Sequence, residues 1–319
     1  VLGKSINAAY KGQIDFDDQV YMSSCFDGIF PRVGTLFVDE AQDLSPLNHL
    51  MLKRLQPKQL VAVGDPLQSI YAFRGADTES MPKLKEEWKL KEYRLTMCFR
   101  CSREVAQAAS KWAPEMRSPE WAKEGSVSQA GGEEGWDFSF LPEKVTVLCR
   151  NNAPLIKLGL KIFRTRKIAF LNSRMSVAML SQLRKILNYK KDLTIEQVAL
   201  KIVAWRTKQL QESPPKLHDK IIDSAEALIY CAEAAKTYQG LEDVITFLFQ
   251  NKEADVWFGT GHGAKGLEWD SVLFLDSWLL PSKFALTEKA LQQEENLAYV
   301  ITTRAKDKLF FADMEGYMA

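Results

Sequence analysis

Very little net charge is left over in this chain. Its 319 residues carry 42 basic and 41 acidic side chains, a formal balance of +1. That excludes a protein coated in positive potential, so a nucleic-acid site has to be a local patch. Cysteine is scarce and odd in number, at positions 25, 98, 101, 149 and 231, which excludes a disulfide framework. Cys98-Phe99-Arg100-Cys101 is a lone C-x-x-C with no second pair and no nearby histidine, short of the four ligands a tetrahedral zinc takes, so neither a zinc nor a redox role is expected of it. No run of about 18 apolar residues exists, which excludes a transmembrane helix. The start, Val1-Leu2-Gly3-Lys4-Ser5, has no apolar run followed by a small-residue cleavage site, so no membrane partner is expected and a reducing, cytoplasmic setting is. Internal repeats and low-complexity tracts are missing too. So is an initial methionine, and a processed or partial product is the expectation.

What is present is ordinary for a globular chain: 46% hydrophobic and 26% charged residues. At about 150 residues per domain the length corresponds to two domains, each able to close a core without a staple. Thr35-Leu36-Phe37-Val38 reads as a buried strand, Pro46 to Leu55 as a helix, and Leu60 to Val63 as a second strand ending at Gly64. That rhythm predicts a parallel α/β sheet. A serine-capped helix is expected from Ser102 to Trp112, and the Gly-, Ser- and charge-rich residues 116 to 135 read as an exposed loop. A second α/β series follows: strand 145–149, helix 153–163, strand 168–171, a mostly helical stretch 176–250 broken at Ser213-Pro214-Pro215 and at Gly240, strands 256–258 and 272–275, a helix 288–301 and a last strand 309–311.

Charge is nonetheless uneven. Between Arg150 and Lys191 stand eleven Lys or Arg and no Asp or Glu. Such a stretch is either a solvated helix face or a phosphate track for a nucleic acid.

Two segments carry candidate chemistry. Asp39-Glu40-Ala41-Gln42-Asp43 directly follows a strand, and the carboxyl ends of parallel strands are where open α/β sheets bind ligands. One acid there could hold Mg²⁺ on a nucleotide and the other take a proton from attacking water; the pair could equally cap the next helix. The second strand leads into Gly64-Asp65-Pro66-Leu67-Gln68-Ser69-Ile70-Tyr71-Ala72-Phe73-Arg74-Gly75-Ala76. Gln68 could sense a terminal phosphate or orient water. Tyr71 and Phe73 offer flat faces for bases, each worth about 1–3 kcal/mol in a single-strand groove, or else pack in the core.

The order of these segments resembles the superfamily 1 DNA helicases of the UvrD, Rep and PcrA type, with RecB-like wording in one of them. Ile14-Asp15-Phe16-Asp17-Asp18 is similar to the family's lead-in, residues 39–43 to motif II, 64–76 to motif III and Leu95 to Ser102 to motif IV. Residues 147–152 resemble the strand and turn that follow it, Gly259 to Glu268 motif V, and Glu294 to Ala305 motif VI. The resemblance implies tandem RecA-like α/β domains with parallel sheets, the first incomplete: residues 1–93 with motifs II and III, and 94–319 with motifs IV to VI and a reduced helical insert at about 192–254. It also implies roles. Asp39 would hold Mg²⁺, Glu40 would activate water, and Gln68 would couple the ATP γ-phosphate to the DNA site. Arg100 and Arg304 would be the two arginines that stabilise the transferring phosphoryl group, and Glu268 would meet the nucleotide's ribose or phosphates. Tyr71 is a candidate for base stacking, Phe73 would stack, Arg74 would contact the strand, and Thr260, His262 and Lys265 would lie on the DNA backbone. Without the resemblance, His262 reads as a surface loop residue and Arg304 as a surface ion pair.

The chain departs from the pattern in two places. The phosphate-binding loop G-x-x-x-x-G-K-[ST] is absent; Gly3-Lys4-Ser5 has only two residues before it and about 34 residues between Lys4 and Asp39, so residues 3 to 13 are expected to form a helix rather than that loop. A preceding segment of the protein, or a complementing polypeptide, is expected to supply it. The insert before motif V is also small, about 60 residues. The wording Ser69 to Ala76 suits the 3′-to-5′ branch. The sequence therefore predicts an ATP- and Mg²⁺-dependent 3′-to-5′ helicase or translocase on single-stranded DNA, inactive as this chain alone. The alternative is a non-catalytic DNA-binding or interaction module that keeps the shape.

Overall fold

A computed structural model of the chain describes residues 2–72, 75–130 and 135–316. They fall into two compact units, Val1–Leu95 and Thr96–Ala319.

The first unit runs α1 (Leu2–Ala9), α2 (Phe16–Cys25), β1 (Thr35–Val38), α3 (Pro46–Leu55), β2 (Gln59–Ala62) and α4 (Ser80–Trp88). Gly3, Lys4 and Ser5 lie in α1, as the helical reading requires, but the helix ends at Ala9 and does not run on to residue 13. The acids of the 14–18 segment start α2: Asp15 accepts from the Asp18 N–H at 2.8 Å, and Asp18 accepts from the Asp15 N–H at 3.1 Å. That reciprocal pairing satisfies two of the donors a helix start leaves over. Ser45 and Asn48 do the same for α3, with Pro46 fixing its first turn.

β1 and β2 pair in parallel, Thr35 opposite Gln59 through Val38 opposite Ala62. The second strand starts one residue before its expected position, because Gln59 N–H already donates to Gly34 O at 3.0 Å. Side chains alternate across the pair. Leu36, Val38, Leu60 and Ala62 pack with Ala41, Leu52 and Leu84. On the opposite face Phe37 is 73% exposed, and Val61 and Val63 are exposed as well.

The second unit opens with α5 (Arg103–Ala109) and β3 (Ser126–Gln129) and continues with β4 (Val145–Cys149), α6 (Asn152–Ile162), β5 (Ile168–Phe170) and α7 (Met175–Ile186). Then come α8 (Ile195–Glu212), α9 (His218–Glu233), α10 (Tyr238–Leu248), β6 (Val256–Thr260), α11 (Gly261–Ala264), β7 (Trp269–Leu275), α12 (Glu288–Thr302) and β8 (Ala305–Ala312). Six strands form one parallel sheet in the order β3-β8-β7-β4-β6-β5. Both faces are covered, so β4 is buried at all five residues and reads as a continuous apolar run. The parallel α/β class is as the sequence predicts. Among the described residues no helix is long and apolar enough to cross a membrane.

Four local expectations change. The 116–135 stretch is not all loop: Ser126 to Gln129 add an edge strand to β8, and an edge strand needs no apolar alternation on its solvent side. Ser102 precedes α5, yet its hydroxyl donates to Asp307 O at 3.1 Å instead of capping the helix, which also ends early at Ala109. Gly240 does not break the helices. Thr237 caps α10 by accepting the Gly240 N–H at 3.1 Å, so that glycine sits in the first turn. β7 and β8 begin well before their apolar segments, at Trp269 and Ala305, because main-chain pairing carries polar residues such as Ser271 and Lys308.

Candidate functional site

Parallel pairing of β1 and β2 puts both carboxyl ends at one edge, so Asp39-Glu40 and Gly64-Asp65 emerge side by side. Val63 N–H donates to Val38 O at 2.8 Å and Ala41 N–H to Val63 O at 2.9 Å, locking the two exits together. Asp39 accepts the Glu40 N–H at 2.9 Å. Glu40 sits at φ 49°, left-handed for a residue with a Cβ, a strain that the surrounding structure must hold.

What holds it is Gln42, a residue for which no role was expected. Its amide donates to Glu40 Oε2 at 2.5 Å, and its carbonyl accepts the Asp65 N–H at 3.1 Å. Asp65 in turn accepts from Leu67 N–H at 3.0 Å and from the Gln68 amide at 2.9 Å. Glu40 and Gln68, the two expected catalytic groups, are thus joined through Gln42 and Asp65. Gly64 permits the close approach: a Cβ there would stand 2.5 Å from Gln42 Oε1.

A second brace lies beneath. Ser80 Oγ donates to Ala41 O at 2.6 Å, and His49 Nε2 meets the same hydroxyl at 3.0 Å. With the serine proton committed to Ala41, His49 must be the donor, which fixes its neutral tautomer. Burial pushes the His49 pKa down.

Exposed oxygen donors at this edge suit a hard cation. Mg²⁺ is held by one or two carboxylates, with phosphate oxygens and waters completing the shell. Asp39 and Glu40 are both exposed at the strand end, and the donor set fits.

Within the second unit the expected nucleotide-facing residues converge at the amino ends of β7 and β8, where Trp269 pairs with Ala305. Arg100 Nε and Glu268 Oε2 form an ion pair at 2.7 Å. Arg304 is 1% exposed. Its Nε donates to Val300 O at 2.9 Å, its Nη1 to Leu267 O at 3.1 Å and its Nη2 to Thr303 Oγ1 at 3.2 Å. Burial, then the charge of Arg100, lowers its pKa. This is a buried guanidinium on main-chain acceptors, and not the surface ion pair that the bare sequence allows.

Thr260 lies at the other end of the sheet, where β6 stops. It caps α11, accepting the Gly263 N–H at 3.3 Å. His262 and Lys265 follow, both half-buried. Gly261 is forced here, since a Cβ would stand 2.6 Å from Ile301. One loop, 260–268, therefore starts at the carboxyl edge with the expected DNA group and ends at the amino edge with Glu268.

In the 64–76 segment Ile70 is buried and Tyr71 half-buried. Gly75 N–H donates to Ala72 O at 2.9 Å and Ala76 N–H to Tyr71 O at 3.3 Å. Phe73 and Arg74 lie outside the described residues. The basic stretch is broken up by its own structure: Arg150 pairs with Glu294 at 2.5 Å and Asp219 at 2.9 Å, Arg184 with Glu242 at 2.8 Å, and Arg166 donates to Pro142 O at 3.0 Å. It is not one continuous unpaired track.

Residues 23–89 match the UvrD/REP helicase N-terminal domain and residues 241–316 the UvrD-like helicase C-terminal domain. The chain is UvrD-like, of helicase superfamily 1. The two matches contain the β1–β2 edge and the loop before β7, the places where the expected site residues cluster. Over 90% of its length the UvrD-like chain is 25% identical to F-box DNA helicase protein 1 of Schizosaccharomyces pombe, covering 35% of that protein. Over 88% it is 25% identical to the Gabija protein GajB of Bacillus cereus, covering 64% of it. Aligned over 91 positions, it is 33% identical to the RecB subunit of Escherichia coli RecBCD, covering 24% of the chain and 8% of RecB. The UvrD-like chain thus spans less than two thirds of each of these relatives.

Proposed function

We propose that this chain carries motifs II to VI of an ATP-dependent DNA helicase or translocase that moves 3′-to-5′ on single-stranded DNA. The observation that carries the reading is the hydrogen-bonded path Glu40–Gln42–Asp65–Gln68, which ties an acid at one strand end to an amide in the next loop. Such a path suits a site that must report the state of a nucleotide to a neighbouring loop.

In this reading Asp39 holds Mg²⁺, which when bound neutralises charge on the phosphate oxygens. Glu40, aimed by Gln42, accepts the proton of the attacking water. Gln68 contacts the γ-phosphate, and Glu268 the nucleotide. Arg100 and Arg304 stabilise the charge that develops on the phosphoryl group; Arg304 is positioned by its three acceptors, so little reorganisation is required. Tyr71, Phe73, Arg74, Thr260, His262 and Lys265 grip the strand. The phosphate-binding loop comes from a segment preceding these residues in the protein or from a complementing polypeptide, and this chain alone does not turn over ATP.

The test is ATP hydrolysis by the product of the whole reading frame, with and without single-stranded DNA. Stimulated turnover is expected, and Glu40→Gln should lower it by about 10²–10⁴-fold with DNA affinity retained. DNA binding without any turnover would instead establish the non-catalytic module. A strand tailed only at its 5′ end should not be unwound.

A further inference from the structure

The C-x-x-C of residues 98–101 is not absorbed by any of these roles, although it encloses Arg100. A bend over residues 99–101 folds the two cysteines toward each other. Cys98 Sγ accepts the Cys101 N–H at 3.5 Å and lies within hydrogen-bond reach of the Arg100 N–H and the Cys101 thiol. Two main-chain N–H groups and a thiol thus face one sulfur, a setting that favours thiolate. The Cys98 pKa is pulled down to about 5, by the Cys101 thiol first of all. Its partner is the opposite case. Cys101 is 4% exposed, its sulfur reaches Thr303 O at 3.8 Å, and the contact with Cys98 followed by burial pushes its pKa up. Cys98 is partly exposed. One accessible thiolate therefore sits beside one buried, protonated thiol.

We infer that Cys98 and Cys101 are a reversible redox site, with Cys98 the attacking sulfur and Cys101 the resolving one, and that a peroxide is the class of oxidant it takes. The Cys98 thiolate attacks a peroxide oxygen; the O–O bond breaks, leaving Cys98 as sulfenic acid, and the departing hydroxide is protonated to water. Cys101 then loses its proton as its sulfur attacks Cys98; the S–O bond breaks and a second water leaves. Two thiols are oxidised to one disulfide and one peroxide is reduced to two waters. An external dithiol reverses the reaction by exchange.

The consequence falls on Arg100. A disulfide draws the two sulfurs to about 2.05 Å. Both ends of the bend are pinned, Cys98 N–H donating to Arg117 O at 2.8 Å and Ser102 N–H to Lys306 O at 2.7 Å, so closing the sulfurs has to be absorbed by the residues between them. Arg100 rides on that bend and is pulled off Glu268. The sulfur chemistry stands on the geometry alone; its effect on turnover rests on the proposed function.

The experiment treats the full chain with hydrogen peroxide, blocks remaining thiols with iodoacetamide and maps the peptides by mass. A Cys98–Cys101 linkage that dithiothreitol reverses is expected, while exposed Cys25 remains alkylated. Cys101→Ser should stop at a dimedone-reactive sulfenic acid on Cys98. Alkylation of Cys98 should hold nearly constant from pH 8 to pH 6, where an ordinary thiol slows by about 100-fold. Circular dichroism of both Cys98→Ser and Cys101→Ser shows that each variant is folded. Two fully alkylated cysteines after peroxide, or a Cys98 rate that falls tenfold per pH unit, would overturn the site. If the disulfide forms and ATP turnover of the whole reading frame is unchanged, the link to Arg100 is refuted and the redox site stands.

Discussion

Gln42 is a single side chain between two loops that meet only in the folded chain. Replacing it with leucine keeps the volume but removes the donor to Glu40 and the acceptor for Asp65. In the product of the whole reading frame, Gln42→Leu should cut turnover by about 10–100-fold through misplacement of Glu40, with a smaller effect on DNA affinity; steady-state kinetics checks this. His49 makes a different prediction. Burial, its first cause, lowers the pKa; Glu87 and Asp77 oppose it, while Lys83 and Lys53 add to it. The native state then binds fewer protons than the unfolded state near pH 6, so stability falls as pH drops through about 6.5. Denaturant titration of the first unit at pH 7.5 and 5.5 should show the loss, and His49→Gln should flatten it. Asp39, Glu40 and Gln68 were legible as candidates because each lies in a recognisable string. Gln42 lies in one of those strings too, but its bond to Asp65 spans 23 residues, and His49 and Ser80 reach their partners across 31 and 39, which nothing local marks.

At the scale of elements, apolar runs and caps placed most helices and strands near their observed positions. The errors share one cause: a strand inside a sheet needs main-chain partners more than an apolar sequence. Ser126 to Gln129 form β3 through β8 alone, and Gly125 turns the chain into that strand at φ 70°, against Ser102 Oγ and Asp307 O. Gly125→Ala should therefore destabilise the second unit by about 1–3 kcal/mol, measured by thermal or urea unfolding. In the first unit the two faces of the β1–β2 pair should respond differently. Leu84→Ala removes a buried side chain and should cost about 2–5 kcal/mol. Phe37→Ser alters an exposed one and should shift stability by less than about 0.5 kcal/mol.

On the scale of the molecule, Arg150 shows how far a local reading can be displaced. It opens the basic stretch, yet its guanidinium is buried between Glu294, the first residue of motif VI, and Asp219 in the helical insert, and Ser282 N–H also donates to Glu294 at 2.9 Å. Arg150→Ala leaves two partly buried carboxylates without their cation and should cost about 3–5 kcal/mol, read from the unfolding midpoint of the second unit. At the end of the first unit, residues 91–95 are exposed and carry no helix or strand, so brief trypsin treatment should cut first at Lys91 or Arg94 and release a folded fragment that contains Thr96–Ala319. The parallel α/β class, the order of the motifs and the residue types able to handle a phosphate or a base were legible before folding, because those follow from local pattern and spacing. Folding settled that Gln42 joins Glu40 to the Gln68 loop, that Arg304 is buried on two carbonyls and a threonine hydroxyl, and that Arg150, Arg166 and Arg184 of the basic stretch turn to internal acceptors. The physical reason is the same for all three: hydrogen bonds and ion pairs depend on which groups lie within about 3 Å, and chain separation carries no record of that distance.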